Sequence, residues 1–135
     1  MDRTWLAAGS ISMFLAVALG AFGAHALKTR IAPDLLAVFE VGVRYHAYHG
    51  LALLAVAVLA ARSGGGIVTL AGVCFAAGTV LFSGSLYLFA LTGSRWIASI
   101  TPLGGVLFLL GWLSLAWAAL ASPSPPVPPI SPISR

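Results

Sequence analysis

Charged side chains are scarce in this sequence. Among its 135 residues, seven are Lys or Arg and three are Asp or Glu, so charged residues make up 7% of the chain and hydrophobic residues 60%. A soluble domain carries about 25% charged residues. Too little polar surface is therefore available to cover a water-soluble globule. The basic residues are dispersed, which argues against the concentrated basic patch of a nucleic-acid-binding protein.

Motifs for catalysis or metal binding are also missing. Cys74 is the single cysteine, so neither an intrachain disulfide nor a CxxC pair can form. No GxSxG elbow surrounds a serine. We therefore expect a protein that is not an enzyme and that carries no cofactor.

Long apolar runs take up most of the chain. A hydrocarbon core is crossed by about 20 apolar helical residues, and three of the runs reach that length directly. The sequence predicts an all-α integral membrane protein, a four-transmembrane-helix bundle with both termini on the same side of the membrane. The four helices form a single domain at 1–121, and we expect them at about residues 4–27, 34–61, 67–92 and 96–121.

Helix-breaking and small residues set the ends and contacts of these helices. Pro33 suits the first turn of the second helix. Thr101 and Pro102 can begin the fourth helix, or Pro102 kinks a longer one. Gly104 and Gly111 lie seven residues apart, which favours close packing of the fourth helix. The first apolar run resembles a secretory signal peptide, but the apolar region of such a signal has only about 7–15 residues. This run is longer, so we interpret it as a retained span. Residues 122–135 hold six of the eight prolines and predict a disordered Pro-rich tail.

The alternation of four helices distributes the polar residues unevenly. We call the face with both termini side A and the opposite face side B. Side A receives Arg3 and Arg62. The residues at or toward side B are His25, Lys28, Arg30, Glu40, Arg44, His46, His49, Ser83, Ser85, Tyr87, Thr92, Arg95, Ser99 and Thr101. The excess of basic residues favours side B as the cytoplasmic face by a small margin, and the orientation stays open.

Within the side-B residues we expect a polar cluster that binds a small ligand or a partner. Imidazoles and hydroxyls in lipid need hydrogen-bonding partners, so His25 and His49 are expected to face each other, with Ser83 and Tyr87 beside them. Glu40 and Arg44 are four residues apart on one helix and are expected to form an ion pair. The candidate cluster comprises His25, Tyr45, His49, Ser83, Ser85, Tyr87 and Thr101.

Other interpretations of the histidines stay open. His25 and His49 are also candidate ligands of a haem or a metal, because they lie on neighbouring antiparallel helices. A proton, ion or small-solute pathway formed by an oligomer is a further alternative, since imidazoles exchange protons near neutral pH. His46 and His49 can instead lie among lipid headgroups, as aromatic belts do.

Several segments together resemble one known family. They read GAFGAHAL at 20–27, YHAYH at 45–49, LFSGSLY at 81–87 and TPLGG at 101–105, followed by Gly111 and Trp112. The chain resembles the YgdD/YwdK-type family of small bacterial inner-membrane proteins, a domain of unknown function, and is similar to a small animal transmembrane protein. The resemblance covers about residues 5–120.

The resemblance implies four helices, a multi-pass location in the bacterial plasma membrane, and no known activity or cofactor. The lipid bilayer is the expected partner, and self-association or contact with another membrane protein stays open. His46 lies where relatives can carry glutamine. The motif positions of the family fall on His25, Tyr45, His49, Ser83, Ser85, Tyr87, Thr101 and Pro102.

Overall fold

The computed structural model describes residues 2–63 and 65–121, and these residues form helices and short connections. Helix α1 (Arg3–Phe22) continues as a π-helical turn (Gly23–Leu27), and α2 (Pro33–Ser63), α3 (Gly66–Thr92), the short α4 (Arg95–Ala98) and α5 (Thr101–Ala121) follow. Four stretches are long and apolar enough to cross a membrane: Arg3–Leu27, Pro33–Arg62, Gly66–Thr92 and Arg95–Ala121. The predicted all-α, four-span fold class is confirmed. The predicted tail at 122–135 lies outside the described residues.

An acidic side chain begins the first helix. Asp2 Oδ1 accepts hydrogen bonds from the backbone N–H of Thr4 (2.9 Å) and of Trp5 (3.2 Å), which would otherwise have no partner in the first turn. The backbone N–H of Asp2 also donates to the carbonyl of Ala57 in α2 at 2.9 Å. The amino end of α1 is therefore attached to the side-A part of α2.

A glycine and a proline shape the connection between α3 and α5. Gly93 follows α3 with φ 70°, and its N–H donates to the carbonyl of Phe89 at 2.8 Å. This left-handed conformation suits glycine, which has no Cβ. Pro102 occupies the first turn of α5, where its missing N–H removes no helical hydrogen bond. The fourth span is therefore divided into α4 and α5.

The central pair of the bundle is α2 and α3. In their most apolar windows 39% and 44% of the residues are buried, against 17% in each of the flanking helices α1 and α5. The main core joins α2, α3 and α5 through Val56, Ala71, Phe75 and Phe108. A second, smaller core lies toward side B and contains Leu27, Phe39 and Ala90. Helix α1 packs on α2 and α5 packs on α3, so a groove opens on each side of the central pair.

Candidate functional site

Both histidines in the middle of α2 are buried in the protein. His46 is 7% exposed and His49 is 4% exposed. Residues three apart on a helix differ by about 60° in direction, so both can point inward while facing different neighbours. His46 lies toward α1 and α3, and His49 lies toward α3 and α5. Neither histidine lies in the exposed position of an interfacial aromatic belt.

The ring of His49 is held from three directions. It stacks on the ring of Phe108, with centroids 3.4 Å apart and planes 3° from parallel. Its Nδ1 lies 2.8 Å from the carbonyl oxygen of Tyr45, and its Nε2 lies 3.3 Å from Nε1 of Trp112. The indole N–H can only donate, so Nε2 accepts and Nδ1 carries the hydrogen that goes to Tyr45. These contacts select one neutral tautomer and use both ring nitrogens.

His49 lies near the middle of the bundle rather than at its side-B end. Its ring is 5.5 Å from that of Phe75, one turn from the midpoint of α3, and Trp112 follows the midpoint of α5. The reason is the length of α2, which has 31 residues. At 1.5 Å per residue it is about 46 Å long, more than the about 30 Å of hydrocarbon, so it begins well outside the span.

The predicted pairing of His25 with His49 is wrong. His25 is exposed in the π-helical turn that follows α1. Gly23 beside it faces Phe39 of α2, ten residues before His49. Ten helical residues correspond to about 15 Å along the axis, so the two imidazoles lie at different depths. Within residues 2–63 and 65–121, no group of three His, Cys, Asp or Glu side chains has the geometry for a metal ion.

His46 is paired with Tyr87 of α3. His46 Nδ1 lies 3.2 Å from the Tyr87 hydroxyl, and the Tyr87 ring packs on Phe39 with centroids 4.8 Å apart. The pair lies at the wall of a groove of about 440 Å³, here called the α1/α3 groove. The residues that line it are Ala8, Ile11, Ser12, Leu15, Leu19, His46, Leu53, Ala76, Thr79, Val80, Gly84 and Tyr87.

The four other polar residues of the predicted cluster do not join this pair. The Ser85 hydroxyl donates to the carbonyl of Phe82 at 2.9 Å and accepts from the Thr101 hydroxyl at 2.7 Å, which links α3 to α5. Ser83 is completely buried, and its hydroxyl has no hydrogen-bonding partner. The Tyr45 ring packs on the Phe82 ring, with centroids 4.7 Å apart and planes tilted by 36°.

A second groove, of about 480 Å³, lies between α2 and α5, and we call it the α2/α5 groove. Tyr45 and Phe82 line it together with His49, Phe108 and Trp112. The predicted single cluster is therefore divided. One part surrounds His49 in the α2/α5 groove, one is the His46–Tyr87 pair in the α1/α3 groove, and one is the Ser85–Thr101 contact.

The predicted ion pair between Glu40 and Arg44 does not form. Both side chains are exposed on α2, and within the described part of the chain no ion pair joins them. An exposed pair on a helix contributes only about 0.3–0.5 kcal/mol, which is too little to hold two long side chains in one conformation. Both charges are therefore available to water and headgroups near side B.

Comparison with known proteins identifies the family. Residues 19–105 match the family described as Protein of unknown function (DUF423). The chain belongs to this family. The UPF0382 membrane protein YwdK of Bacillus subtilis is 48% identical over 119 residues, which cover 87% of this chain and 97% of that protein. No solved structure matches the chain.

Two further relatives of this DUF423 chain support the same assignment. The UPF0382 inner membrane protein YgdD of Escherichia coli is 43% identical over 119 residues, covering 88% of this chain and 91% of that protein. The UPF0382 membrane protein SSP2132 of Staphylococcus saprophyticus is 42% identical over 113 residues, covering 84% of this chain and 93% of that protein. The resemblance predicted from the sequence is confirmed, and this DUF423 protein is a multi-pass membrane protein.

Sequence reasoning missed three side chains that shape these sites of the DUF423 chain. Ser12 is one of them, and its buried hydroxyl has no hydrogen-bonding partner. Phe108 and Trp112 hold His49. Their spacing of four residues places both on one face of α5, and this signal was available in the sequence.

Proposed function

We propose that this protein is a non-enzymatic membrane protein that binds a small, largely apolar molecule in the α1/α3 groove. The observation that carries the proposal is the placement of the His46–Tyr87 pair at the wall of an otherwise apolar groove of about 440 Å³. Small-molecule sites have volumes of about 300–1,000 Å³ and combine apolar walls with a few polar groups. The groove has both properties.

The groove is accessible from the hydrocarbon phase. Large apolar side chains on its edges are exposed, with Ile11 at 61%, Leu15 at 44% and Val80 at 71%. On its α3 side, a Cβ added to Gly84 would meet no atom within 4 Å, so the space beside this glycine is open. A molecule dissolved in the bilayer can therefore enter between α1 and α3 without unfolding the bundle.

Photoaffinity labelling in membranes tests this proposal. The probe is a long-chain alcohol that carries a diazirine on its hydrocarbon chain, and the adducts are located by mass spectrometry. We expect adducts on the residues of α1 and α3 that line the groove. Gly84→Leu fills the groove and is expected to remove them. Gly105→Leu adds the same side chain in the α2/α5 groove and is expected to leave them unchanged.

Labelling of lipid-facing residues would contradict the proposal. Phe14 and Leu120 face away from both grooves and are 72% and 86% exposed. Adducts distributed evenly over such surface residues, and insensitive to Gly84→Leu, would show that the probe labels the lipid-facing surface without a binding site. The proposal would then be abandoned.

A further inference from the structure

The hydrogen bonds of the His46–Tyr87 pair define what a bound molecule must supply. The two groups are joined by one contact between His46 Nδ1 and the Tyr87 hydroxyl. If the hydroxyl donates, the hydrogen of His46 is on Nε2 and is free to donate. If Nδ1 donates, the hydroxyl hydrogen of Tyr87 is free instead. In both neutral tautomers the pair retains one unused donor, which a ligand oxygen can accept.

Ser12 adds a second unused polar group on the opposite wall. It is 9% exposed and lines the same groove, and its hydroxyl oxygen is buried beside Gly50 of α2 without a hydrogen-bonding partner. The hydroxyl therefore reaches a molecule in the groove by rotating about its Cα–Cβ bond. The midpoint of the Arg3–Leu27 span lies one turn beyond it, so this hydroxyl lies deep in the span. A buried hydroxyl without a partner costs free energy, and either a ligand or the carbonyl of its own helix must satisfy it.

The groove contains no charge to balance a charged ligand. None of its lining residues is Asp, Glu, Lys or Arg. An ionised head group at this depth would lose its hydration and find no opposite charge, which is costly within a membrane. A phospholipid head group would also have to leave the interface to reach Ser12. An uncharged oxygen on a hydrocarbon body has neither of these costs.

We infer that the ligand of the α1/α3 groove is an uncharged lipid-like molecule whose carbonyl or hydroxyl oxygen is bound by the His46–Tyr87 pair and Ser12. This inference rests on the proposed function, because it names the ligand class for the same groove. The ligand enters sideways from the bilayer, its oxygen accepts the free hydrogen of the pair, and its hydrocarbon body lies against Leu15 and Val80. Ketones or quinones and long-chain alcohols share this chemistry.

Competition against the photoaffinity probe tests the ligand class. The competitors carry the same decyl chain and differ only in the head group: decanol, a decyl benzoquinone, decanoate, decyltrimethylammonium and decane. We expect decanol and the quinone to displace the probe at lower concentrations than the other three. One hydrogen bond corresponds to about two- to tenfold in affinity, so decane is expected to compete that much more weakly.

Two serine variants test whether the Ser12 hydroxyl contacts the ligand oxygen. Ser12→Ala is expected to weaken decanol or the quinone about two- to tenfold and to leave decane unchanged. Ser114→Ala is the control, because the Ser114 hydroxyl already donates to the carbonyl of Leu110 at 2.8 Å and lies outside this groove. If the quinone displaces the probe at a lower concentration than decanol does, a carbonyl is the preferred group. If decanol displaces it at the lower concentration, a hydroxyl is preferred.

The experiment gives different results if the inferred ligand class is wrong and if the groove binds no molecule at all. Equal competition by decane and decanol, with no effect of Ser12→Ala, would overturn the inference and leave an apolar binding site. Stronger competition by decanoate or decyltrimethylammonium would overturn it in the same way. If no competitor displaced the probe, and Gly84→Leu had no effect on labelling, the binding site itself would be refuted.

Discussion

At the scale of single residues, His49 and His46 make a matched comparison. His49 connects α2 to α5 by accepting from Trp112, and its ring stacks on Phe108. Replacement by Leu leaves the indole N–H without its partner, which costs about 1–3 kcal/mol. His46→Leu leaves the Tyr87 hydroxyl facing an open groove, where another partner can reach it. We therefore expect His49→Leu to lower the melting temperature in mild detergent more than His46→Leu.

A double-mutant cycle distinguishes this contact from general loss of packing. Trp112→Phe removes the same hydrogen bond from the other side, so its effect and that of His49→Leu should be less than additive. Equal melting temperatures for His46→Leu and His49→Leu, or a greater loss at His46, would contradict the assignment of His49 as the connecting residue.

The sequence predicted which polar side chains need a hydrogen-bonding partner inside the bundle better than it predicted which residues supply that partner. His49 and Tyr87 were correctly expected to need partners, but the sequence pattern could not show that Trp112 and His46 supply them. The direction of a side chain follows from its helix, whereas its partner depends on which helix packs against that side. His25 does not meet His49 because the 31-residue helix α2 extends well beyond the level at which α1 ends.

At the scale of helices, two adjacent glycines of α5 test the packing against α3. A Cβ added to Gly104 would collide with the backbone nitrogen of Phe82 and come within 2.7 Å of its Cβ. A Cβ added to Gly105 would meet Phe82 only at 3.8 Å, which is an ordinary contact. Gly104→Ala must therefore separate the two helices, at a cost of about 1–3 kcal/mol. Gly105→Ala is expected to be neutral or slightly stabilising, because alanine favours helix.

Thermal unfolding in mild detergent measures the difference between the two variants. Similar melting temperatures for Gly104→Ala and Gly105→Ala would show that α3 and α5 do not approach as closely as the structure places them. The close contact itself was predicted from the seven-residue spacing of Gly104 and Gly111, and it is confirmed. A Cβ on Gly111 would lie 2.5 Å from Phe75.

Local irregularities of the helices could not be predicted from the sequence. The π-helical turn at Gly23–Leu27 differs from an α-helix by one residue in its hydrogen-bonding register, and no hydrophobic period marks it. The division of the fourth span at Thr101 was one of two alternatives, since proline either begins a helix or kinks one. Helix number and type follow from apolar length, while such local irregularities depend on packing.

At the scale of the whole molecule, the two grooves lie on opposite sides of the central helices α2 and α3. One contains the His46–Tyr87 pair, and the other contains His49 with its aromatic neighbours. The two histidines therefore do not form a relay with each other or with His25. In the side-A half, residues 4–11, 50–61, 66–78 and 110–121 include no Asp, Glu, Lys, Arg or His. A proton moving along this bundle would have no carrier in that half.

We therefore expect the protein not to conduct protons. In liposomes loaded with a pH-sensitive dye, the reconstituted protein should preserve an imposed pH gradient as long as protein-free liposomes do, and gramicidin should dissipate it. A charge without partners at the bilayer centre costs several kcal/mol, so the apolar side-A half is a barrier. His49→Ala and His25→Ala should leave the gradient unchanged. A leak that requires the protein and disappears in His49→Ala, but persists in His25→Ala, would instead establish a pathway through the α2/α5 groove.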